Sequence, residues 1–210
     1  MELDPITAAS FAIIDREIGS HPWGWTPAEY AIIRRVIHAT ADFEFKYLLR
    51  FSPGVIPLGI RALQKQAPII TDVGLVAQGI KHHLAKQLNN PLINALDCAP
   101  ADAGVETRAA MGMAAALAQY PQAIVVIGNA PTALHKLCEL YPRVRPALVI
   151  AAPVGFVNVL EAKAFLARLP LPQMRVQGRK GGSPAAAAIT NALIDLAVLD
   201  ASHQTARRAD

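Results

Sequence analysis

The chain has 210 residues, of which 53% are hydrophobic and 17% are charged, and its formal net charge is +4. This length and composition exclude a disordered chain and predict one globular domain over residues 1–203, followed by a tail at 204–210 that frays. The lysines and arginines are dispersed and are not interleaved with aromatic residues, which argues against a nucleic-acid partner and favours a small anionic ligand.

The sequence predicts neither a membrane span nor an export signal. The most apolar stretch, Ala147 to Leu160, is interrupted by a proline, a glycine and an asparagine. Acidic residues interrupt the N-terminal region, where a signal peptide would have an apolar core. We therefore expect a cytoplasmic protein with no membrane contact, in which Cys98 and Cys138 stay reduced.

Helices are predicted in the first third of the chain. Apolar residues at helical spacing predict an amphipathic helix over residues 6–18. Its apolar stripe comprises Ile6, Phe11, Ile14 and Ile18. The segment Thr26-Pro27-Ala28-Glu29 has an N-cap threonine, a proline at the first helical position and a glutamate at the third, and this capping box predicts a helix from Pro27 to about Ala41. A further helix is expected over residues 55–66.

Five short apolar runs predict buried strands, and segments of helical composition separate them. The runs are residues 68–72, 92–96, 123–127, 147–151 and 174–177. Strands that alternate with helices at this spacing indicate right-handed crossovers. The predicted fold is a single three-layer α/β/α domain with a mainly parallel, doubly wound sheet.

In open parallel sheets, ligands bind beyond the carboxyl ends of the strands. The residues just after each predicted strand are therefore the candidates for a site. They are Asp72, Asp97 and the segments 128–132, 153–156 and 178–183.

The segment Gly128-Asn129-Ala130-Pro131-Thr132 follows the clearest predicted strand and opens a helix. Its backbone N–H groups and the positive end of the helix dipole are suited to an anionic group. The segment lacks the GxGxxG spacing of a dinucleotide site and the glycine pattern of a P-loop. A tight turn that only packs is the alternative interpretation.

Residues 178–183 (GRKGGS) combine two cations, glycines and a hydroxyl just before a helix that Pro184 begins. A carboxylate can bind N–H groups and side chains together at such a place, so this segment is the strongest predicted anion site in the chain. A flexible, solvated loop is the alternative.

Two further cations are candidates for the same edge of the sheet. Lys163 follows Glu161 early in the helix after residues 153–156, from where it can reach over the strand ends. Thr107 and Arg108 are typical of an N-cap and a first helical residue, which aims Arg108 at this edge. An arginine can bind a carboxylate with two hydrogen bonds. Exposed positions without a ligand are the alternative for both cations.

Among six histidines, only His38 has a neighbourhood that suggests catalysis. It lies near the end of the capped helix, with Arg34 and Arg35 one turn before it and Asp42 one turn after it. A histidine on such a face can pass a proton near neutral pH. An exposed or capping histidine is the alternative. The spacing of the histidines and cysteines predicts no metal site.

Eight segments, in their order along the chain, resemble the precorrin-8X methylmutase (precorrin isomerase) family over nearly the whole sequence. Two of them, IGNAPTAL at 127–134 and PVGFV at 153–157, are long and unusual enough to be highly specific. The others are SFAII at 10–14, RVIHA at 35–39, ITDV at 70–73, TRA at 107–109, EAK at 161–163 and GGS at 181–183.

The resemblance implies an isomerase of cobalamin biosynthesis. Its reaction moves a methyl group from C-11 to C-12 of precorrin-8X or cobalt-precorrin-8, giving hydrogenobyrinate or cobyrinate, and no cofactor and no protein-bound metal are implied. His38 falls on the family's histidine and is implied to act as general acid towards a ring nitrogen. The resemblance also implies a homodimer with each site near the subunit interface. Direct transfer of product to a neighbouring pathway enzyme would suit such a reaction.

The implied substrate contacts lie along the strand ends and the first helix. Cationic and hydroxyl side chains are implied to receive the acetate and propionate groups, and the turns at 128–132 and 153–157 to form the floor of the cleft. The implied binding residues are Ser10, Arg16, Asp72, Arg108, Gly128, Asn129, Ala130, Thr132, Val154, Gly155, Phe156, Lys163, Arg179, Gly182 and Ser183. Some family members carry an arginine directly after the first motif, where this sequence has Asp15 followed by Arg16. We therefore do not expect an arginine contact of the same geometry there.

Two other functions are open to the sequence. A non-catalytic corrinoid-binding or delivery protein would use the same cleft, and the absence of turnover would identify it. A nucleotide-dependent oxidoreductase shares the predicted fold, but the sequence lacks the glycine fingerprint of that class.

Overall fold

The computed structural model describes residues 4–19, 24–101 and 104–209, which form a six-stranded sheet covered by helices on both faces. The strands are β1 (Leu49–Phe51), β2 (Ile69–Thr71), β3 (Leu92–Asn94), β4 (Ile124–Ile127), β5 (Leu148–Ala151) and β6 (Gln173–Val176). The helices are α1 (Pro5–Ile18), α2 (Pro27–Thr40), α3 (Phe45–Leu48), α4 (Val55–Gln64), α5 (Gly74–Gln87), α6 (Arg108–Gln119), α7 (Pro131–Leu140), α8 (Val159–Ala167) and α9 (Ser183–Ala209). A 3₁₀ helix, Ala95–Cys98, follows β3.

The strand order is β1-β6-β5-β4-β2-β3, and every neighbouring pair except β1 and β6 is parallel. This arrangement confirms the predicted α/β/α domain with a mainly parallel, doubly wound sheet. The sequence patterns predict neither β1, which pairs antiparallel with β6, nor the single-turn helix α3 before it. A strand of three residues is too short to show a period, so only its pairing with β6 identifies it.

Side-chain caps determine where the first two helices begin. The predicted capping box is present: the Glu29 N–H donates to Thr26 Oγ1 at 3.2 Å, and the Thr26 N–H donates to Glu29 Oε2 at 2.8 Å. Asp4 caps α1 by accepting hydrogen bonds from two backbone N–H groups of the first turn. Helix α2 ends at Thr40, and Ala41 closes it in the left-handed conformation, with φ of 52°. His38 therefore lies in the last turn of α2.

The apolar stripe predicted for α1 is only partly buried. Phe11 and Ile14 are buried in the core, and Ile18 packs against it, whereas Ile6 is 79% exposed. Ile6 lies in the first turn, before the buried residues of the helix begin. The stripe is therefore shorter than its spacing predicts.

Two hydrophobic layers enclose the sheet, one on each face. Alternate residues of β2 and β4 point into opposite layers: Ile69 and Ile124 pack with residues of α2, α4, α5 and α9, whereas Ile70 and Val125 pack with residues of α6, α7 and α8. Because both faces are covered, β4 and β5 are apolar at every position, which explains the continuous apolar runs there in the sequence.

Helix α9 contains a stretch, Ser183–Ser202, that is long and apolar enough by composition to cross a membrane, which the sequence analysis did not find. In the fold, 56% of this stretch is buried, and α9 packs against α2, α4 and α5. The stretch therefore serves as a core helix. Helix α9 continues to Ala209, past the predicted start of a frayed tail at 204; Asp210 lies outside the described residues, and the domain boundary stays a prediction.

Candidate active site

The segments that follow β2, β4, β5 and β6 meet at the carboxyl edge of the sheet. The Gly182 N–H donates to the Ala152 carbonyl at 2.8 Å, and the Gly155 N–H donates to the Arg179 carbonyl at 3.3 Å. These bonds join the segment after β5 to the segment after β6. The structure thus brings together the strand-end residues that the sequence singled out, whereas Asp97 is an exposed residue of the 3₁₀ helix after β3.

Asp72 is completely buried directly after β2, and its carboxylate accepts three hydrogen bonds from the neighbouring turn. The donors are the N–H groups of Gly128 at 3.1 Å, Asn129 at 2.8 Å and Ala130 at 2.7 Å. Burial raises the pKa of the Asp72 carboxyl, and the three N–H groups oppose that rise. This carboxylate therefore positions the turn that opens α7.

The predicted anion site was the segment 128–132, and three of its N–H groups, those of Gly128, Asn129 and Ala130, already bind the chain's own carboxylate. Asp72, predicted to contact substrate, is likewise turned into the protein. Contacts between a substrate and other atoms of this turn stay a prediction. Asp72 and the turn are 56 to 58 residues apart, so only the adjacency of β2 and β4 could have paired them.

Gly128 allows the end of β4 to lie close against the start of α9. A Cβ built at this position would lie 2.9 Å from the Cα of Ser183 and 2.7 Å from a methyl carbon of Val76. Ser183 is itself buried, so its hydroxyl is not displayed on the surface as the sequence analysis expected. The glycine is required by this close approach and not by an unusual backbone angle.

Lys163 is only 4% exposed, and its ammonium points towards residues 178–183, here called the Arg179 loop. Its Nζ donates to the Gly178 carbonyl at 2.7 Å and to the Lys180 carbonyl at 2.8 Å. Burial lowers the pKa of Lys163 to about 8. Lys163 therefore holds the loop from inside, and its contact with a substrate carboxylate stays a prediction.

The Arg179 loop is also anchored from outside. Lys180 Nζ lies 2.6 Å from Asp42 Oδ2 and 3.0 Å from Glu44 Oε1, in the segment that follows α2. The hydrogen bond from Lys180 lowers the pKa of Asp42, and Asp42 in turn raises the pKa of Lys180. Arg179 lies between the two anchored carbonyls; it is exposed, and its guanidinium has no partner among the residues that the structure describes.

Glycine is needed where the loop crosses the end of β5. Gly181 and Gly182 have φ angles of 152° and 110°, in the region that other residues rarely adopt. A Cβ at Gly181 would also lie 2.2 Å from the Ala152 carbonyl oxygen. The two glycines bring the loop close enough for the Gly182 N–H to bond Ala152.

His38 lies at a cleft of about 250 Å³ between α1 and the end of α2. The cleft is lined by Ser10, Ile13, Ile14, Glu17, Ile37, His38, Ala41 and Phe43. The imidazole is exposed and has no hydrogen-bond or ion-pair partner in the described part of the chain, although its ring meets the edge of Phe11 at a centroid distance of 5.3 Å. Ser10 shares the cleft, but its hydroxyl donates to the Ile6 carbonyl at 2.9 Å.

Asp15, directly after the SFAII motif, joins α1 to α2. Its carboxylate lies 2.9 Å from Arg34 Nη1 and accepts a hydrogen bond from the Tyr30 hydroxyl. Burial and this hydrogen bond raise the pKa of Tyr30 to about 12. The Arg34 guanidinium in turn covers Phe11, at 4.3 Å from the ring centroid. Asp15 therefore orients the ring that packs against His38, a role that residue type alone did not indicate.

Arg16 and Arg108 are both exposed, and neither side chain has a partner in the described ranges. The predicted N-cap before Arg108 is present, since the Ala110 N–H donates to Thr107 Oγ1 at 3.2 Å. Thr107 Oγ1 donates to Thr132 Oγ1 at 2.8 Å, which joins the starts of α6 and α7. Both arginines are thus free to meet an anion.

A second cleft, of about 490 Å³, opens between the starts of α6, α7 and α8, and the sequence analysis did not predict it. Its lining includes Thr132 and the carboxylates of Glu106, Glu139 and Glu161. Lys136 pairs with Glu106 at 2.7 Å and with Glu139 at 2.9 Å. Because carboxylates outnumber lysines in this lining, the cleft is poorly suited to bind a polyanion.

An apolar surface lies beside the Arg179 loop, which is predicted to bind anions. Val154 and Val157 are exposed, and Phe156 is 86% exposed, on the segment between β5 and α8. Leu160, in the first turn of α8, extends this surface. Large exposed apolar side chains in one segment mark a contact surface for an apolar ligand or another protein.

The structure therefore arranges the predicted residues in two groups. Ser10 and His38 share the cleft between α1 and α2, whereas the turns after β4, β5 and β6 meet at the sheet edge. The cleft around His38 is not lined by those turns, and the ion pair between Lys180 and Asp42 joins the two groups. Within the described ranges, no group of three or more His, Cys, Asp or Glu residues could hold a metal ion.

Comparison with known proteins identifies the relatives of this chain. A profile of the family described as precorrin-8X methylmutase matches residues 5–196. Cobalt-precorrin-8 methylmutase from Synechocystis sp. is 50% identical, and the match covers 92% of this chain and 95% of that protein. Precorrin-8X methylmutase from Pseudomonas aeruginosa is 38% identical, and the match covers 76% of this chain and 80% of that protein. One of these relatives is named for cobalt-precorrin-8 and the other for precorrin-8X.

The solved structure of precorrin-8X methylmutase from Thermus thermophilus has the same fold. It superposes with a TM-score of 0.85 at 44% identity, and the match covers 92% of this chain and 95% of that one. A second structure, described as a precorrin-8X methylmutase related protein, superposes with a TM-score of 0.70 at 28% identity.

Proposed function

The chain belongs to the precorrin-8X methylmutase family of cobalamin-biosynthetic isomerases, and on this premise we propose that it moves one methyl group from C-11 to C-12 of precorrin-8X or cobalt-precorrin-8. The products would be hydrogenobyrinate or cobyrinate. The observation that carries the proposal is the family match over residues 5–196, which includes every proposed site residue. Incubation of the purified chain with precorrin-8X, followed by absorbance, tests it: conversion supports a methylmutase, and binding without conversion would indicate a corrinoid carrier.

In the proposed reaction the bond from the methyl carbon to C-11 breaks as the bond to C-12 forms. All atoms and electrons stay within one molecule, so the protein has to hold the ring, exclude water and stabilise a shifted protonation state. His38 is the proposed general acid: it donates a proton to a ring nitrogen near the migrating methyl, and the ring returns one proton to His38 after the bond to C-12 has formed, so that substrate and product stay isomers. Its exposure supports this role, as does the absence of a hydrogen-bond partner for its nitrogens among the described residues, since a histidine bound to the chain's own groups would be less able to reach a ligand.

The peripheral carboxylates of the ring are proposed to meet the free arginines. Arg179, Arg108 and Arg16 are exposed and unpartnered within the described residues, and a guanidinium binds a carboxylate with two hydrogen bonds. The apolar surface around Phe156 is proposed to cover part of the macrocycle face or of the subunit interface. Thr132, Gly155 and Gly182 stay proposed contacts at the floor of the site.

Arg179→Ala is expected to weaken product binding by about 1 to 3 kcal/mol, because one charge-assisted contact is lost. The difference between variant and parent should shrink as salt rises, since Arg179 is solvated. Titration with hydrogenobyrinate at two salt concentrations measures both effects. Arg143→Ala is the matched control, because Arg143 is exposed between α7 and β5, at the opposite edge of the sheet. An equal loss in both variants would contradict a specific contact by Arg179.

Treatment with a chelator is expected to leave product binding and turnover unchanged. The proposed contacts are side chains and N–H groups, and any cobalt would be held by the macrocycle of the substrate. Turnover of precorrin-8X and of cobalt-precorrin-8 should be compared on chelator-treated protein, which also shows which form this chain prefers. Loss of binding to the metal-free product after chelation would contradict a reaction without a protein-bound metal.

A cytoplasmic homodimer is the proposed form of the enzyme. The exposed apolar residues Val154, Phe156 and Val157 support an interface near the site, because such side chains are seldom grouped on the surface of a monomer. Light scattering at micromolar concentration tests the dimer. Slow release of product to a neighbouring pathway enzyme is proposed as well, and its rate can be followed in a stopped-flow chase.

A further inference from the structure

We propose that Lys180 is a positioning residue, which couples the Arg179 loop to the end of the helix that carries His38. The expected effect of Lys180 on turnover rests on the proposed function. The contacts of Lys180 in the unliganded chain can be tested separately.

The Arg179 loop is fixed on its inner side by Lys163. The two hydrogen bonds from Lys163 Nζ reach the carbonyls of Gly178 and Lys180, one on each side of Arg179. The loop is fixed at its far end by the bond between the Gly182 N–H and the Ala152 carbonyl. These bonds set the backbone of Arg179 relative to the sheet, but they do not set its position relative to α2.

The segment after α2 is equally well defined. The Ala41 N–H closes the helix on the Ile37 carbonyl at 2.8 Å, and the Asp42 N–H lies 3.3 Å from Thr40 Oγ1. Asp42 Oδ1 accepts the Glu44 N–H at 2.9 Å, which leaves Oδ2 directed at Lys180. Asp42 is therefore a fixed anchor and not a mobile surface carboxylate.

Asp42 lies between the two residues that complete the wall of the His38 cleft. Ala41 and Phe43 both line that cleft, and Lys180 binds the carboxylate between them. The side chain of Lys180 holds the cleft wall while its carbonyl accepts the bond from Lys163. One residue thus joins the proposed acid to the proposed carboxylate site, over a separation of 138 residues in sequence.

Lys180→Met removes the coupling and keeps most of the side-chain volume. Because a displacement of about 1 Å between reacting groups can cost roughly 100-fold in rate, we expect turnover to fall about 10- to 100-fold. Product affinity should fall less than about threefold, since Arg179 remains able to bind a carboxylate. Lys180→Arg keeps an ion pair with Asp42 and should restore most of the rate. The melting temperature should hardly change, since exposed ion pairs add little stability.

A mutant cycle separates positioning from direct contact with substrate. The partners of Lys180 are removed in Asp42→Asn/Glu44→Gln, which should reproduce the rate loss of Lys180→Met. If Lys180 acts through these partners, all three changes together should be no slower than either set alone. If Lys180 instead binds a substrate carboxylate, Lys180→Met should lower affinity further in the Asp42→Asn/Glu44→Gln background, and the proposal would be overturned.

Amide hydrogen exchange of the unliganded chain tests the coupling without substrate. Lys180→Met should speed exchange in residues 41–44 and in residues 178–182, whereas Lys136→Met, which removes a lysine between two glutamates elsewhere, should change neither segment. Unchanged exchange in Lys180→Met would overturn the proposal. If the parent protein showed no methylmutase activity, the proposed function would fail, and the exchange result would still decide whether Lys180 joins the two segments.

Discussion

His38→Ala is expected to lower the single-turnover rate of methyl migration by roughly 10²- to 10⁴-fold, the usual contribution of a positioned general acid. The cleft that contains His38 holds one other titratable side chain, Glu17, among its lining residues. An imidazole is the side chain best suited to general acid catalysis near neutral pH. No second histidine is among the described residues that line this cleft, so the variant has no replacement of the same kind. Single-turnover conversion of precorrin-8X, followed by absorbance, measures the effect.

The same variant should keep its fold and its affinity for product. His38 is exposed and meets only the edge of the Phe11 ring, so its removal leaves the buried face of α2 intact. The arginines proposed to bind carboxylates are unchanged. His82→Ala, at an exposed position of α5, is the matched control and should turn over like the parent. If His38→Ala reacted within about fivefold of the parent, the proposed proton donor would have to be withdrawn.

Asp72→Ala is expected to lower the free energy of unfolding by about 2 to 5 kcal/mol. The substitution leaves three N–H groups of the turn at Gly128 to Ala130 without their acceptor, and each buried donor left unpaired costs roughly 1 to 3 kcal/mol. Water that enters the space offsets part of that cost. Chemical denaturation followed by circular dichroism measures the loss.

Two companion variants show whether the carboxylate itself is responsible. Asp97→Ala makes the same change at an exposed residue after β3 and should alter stability by less than about 0.5 kcal/mol. Asp72→Asn keeps the shape but turns an NH₂ group towards N–H donors, so its stability should lie between those of Asp72→Ala and the parent. A stable Asp72→Ala protein would mean that the turn does not depend on this carboxylate.

Asp72 and Lys163 illustrate that a motif can locate a polar residue without showing its partner within the chain. Both residues lie in segments that the sequence identified, and both are the residue types that recognise charged or polar ligands. In the fold, Asp72 binds the turn after β4, and Lys163 binds the loop after β6. Residue type indicates which group a side chain can bind, but burial decides whether that group belongs to a ligand or to the chain itself.

The sequence by itself determined the features that depend on neighbours along the chain. The capping box at Thr26 placed the start of α2, and hence His38 in its last turn, because its donors and acceptors are three residues apart. Short runs rich in apolar residues predicted β2 to β6, most clearly at β4 and β5, where the strands are buried on both faces. The alternation of strands with helices predicted the layers, and the order of the motifs identified the family.

Only the tertiary structure decided the features that depend on pairs far apart in sequence. The antiparallel strand β1, the bond from Ala130 to Asp72 and the ion pair of Lys180 with Asp42 each join segments more than 50 residues apart. No local pattern records such a pair, because each partner alone fits several environments. The free energy of the folded chain selects the pairs, since a buried donor or acceptor without a partner costs more than most single contacts contribute.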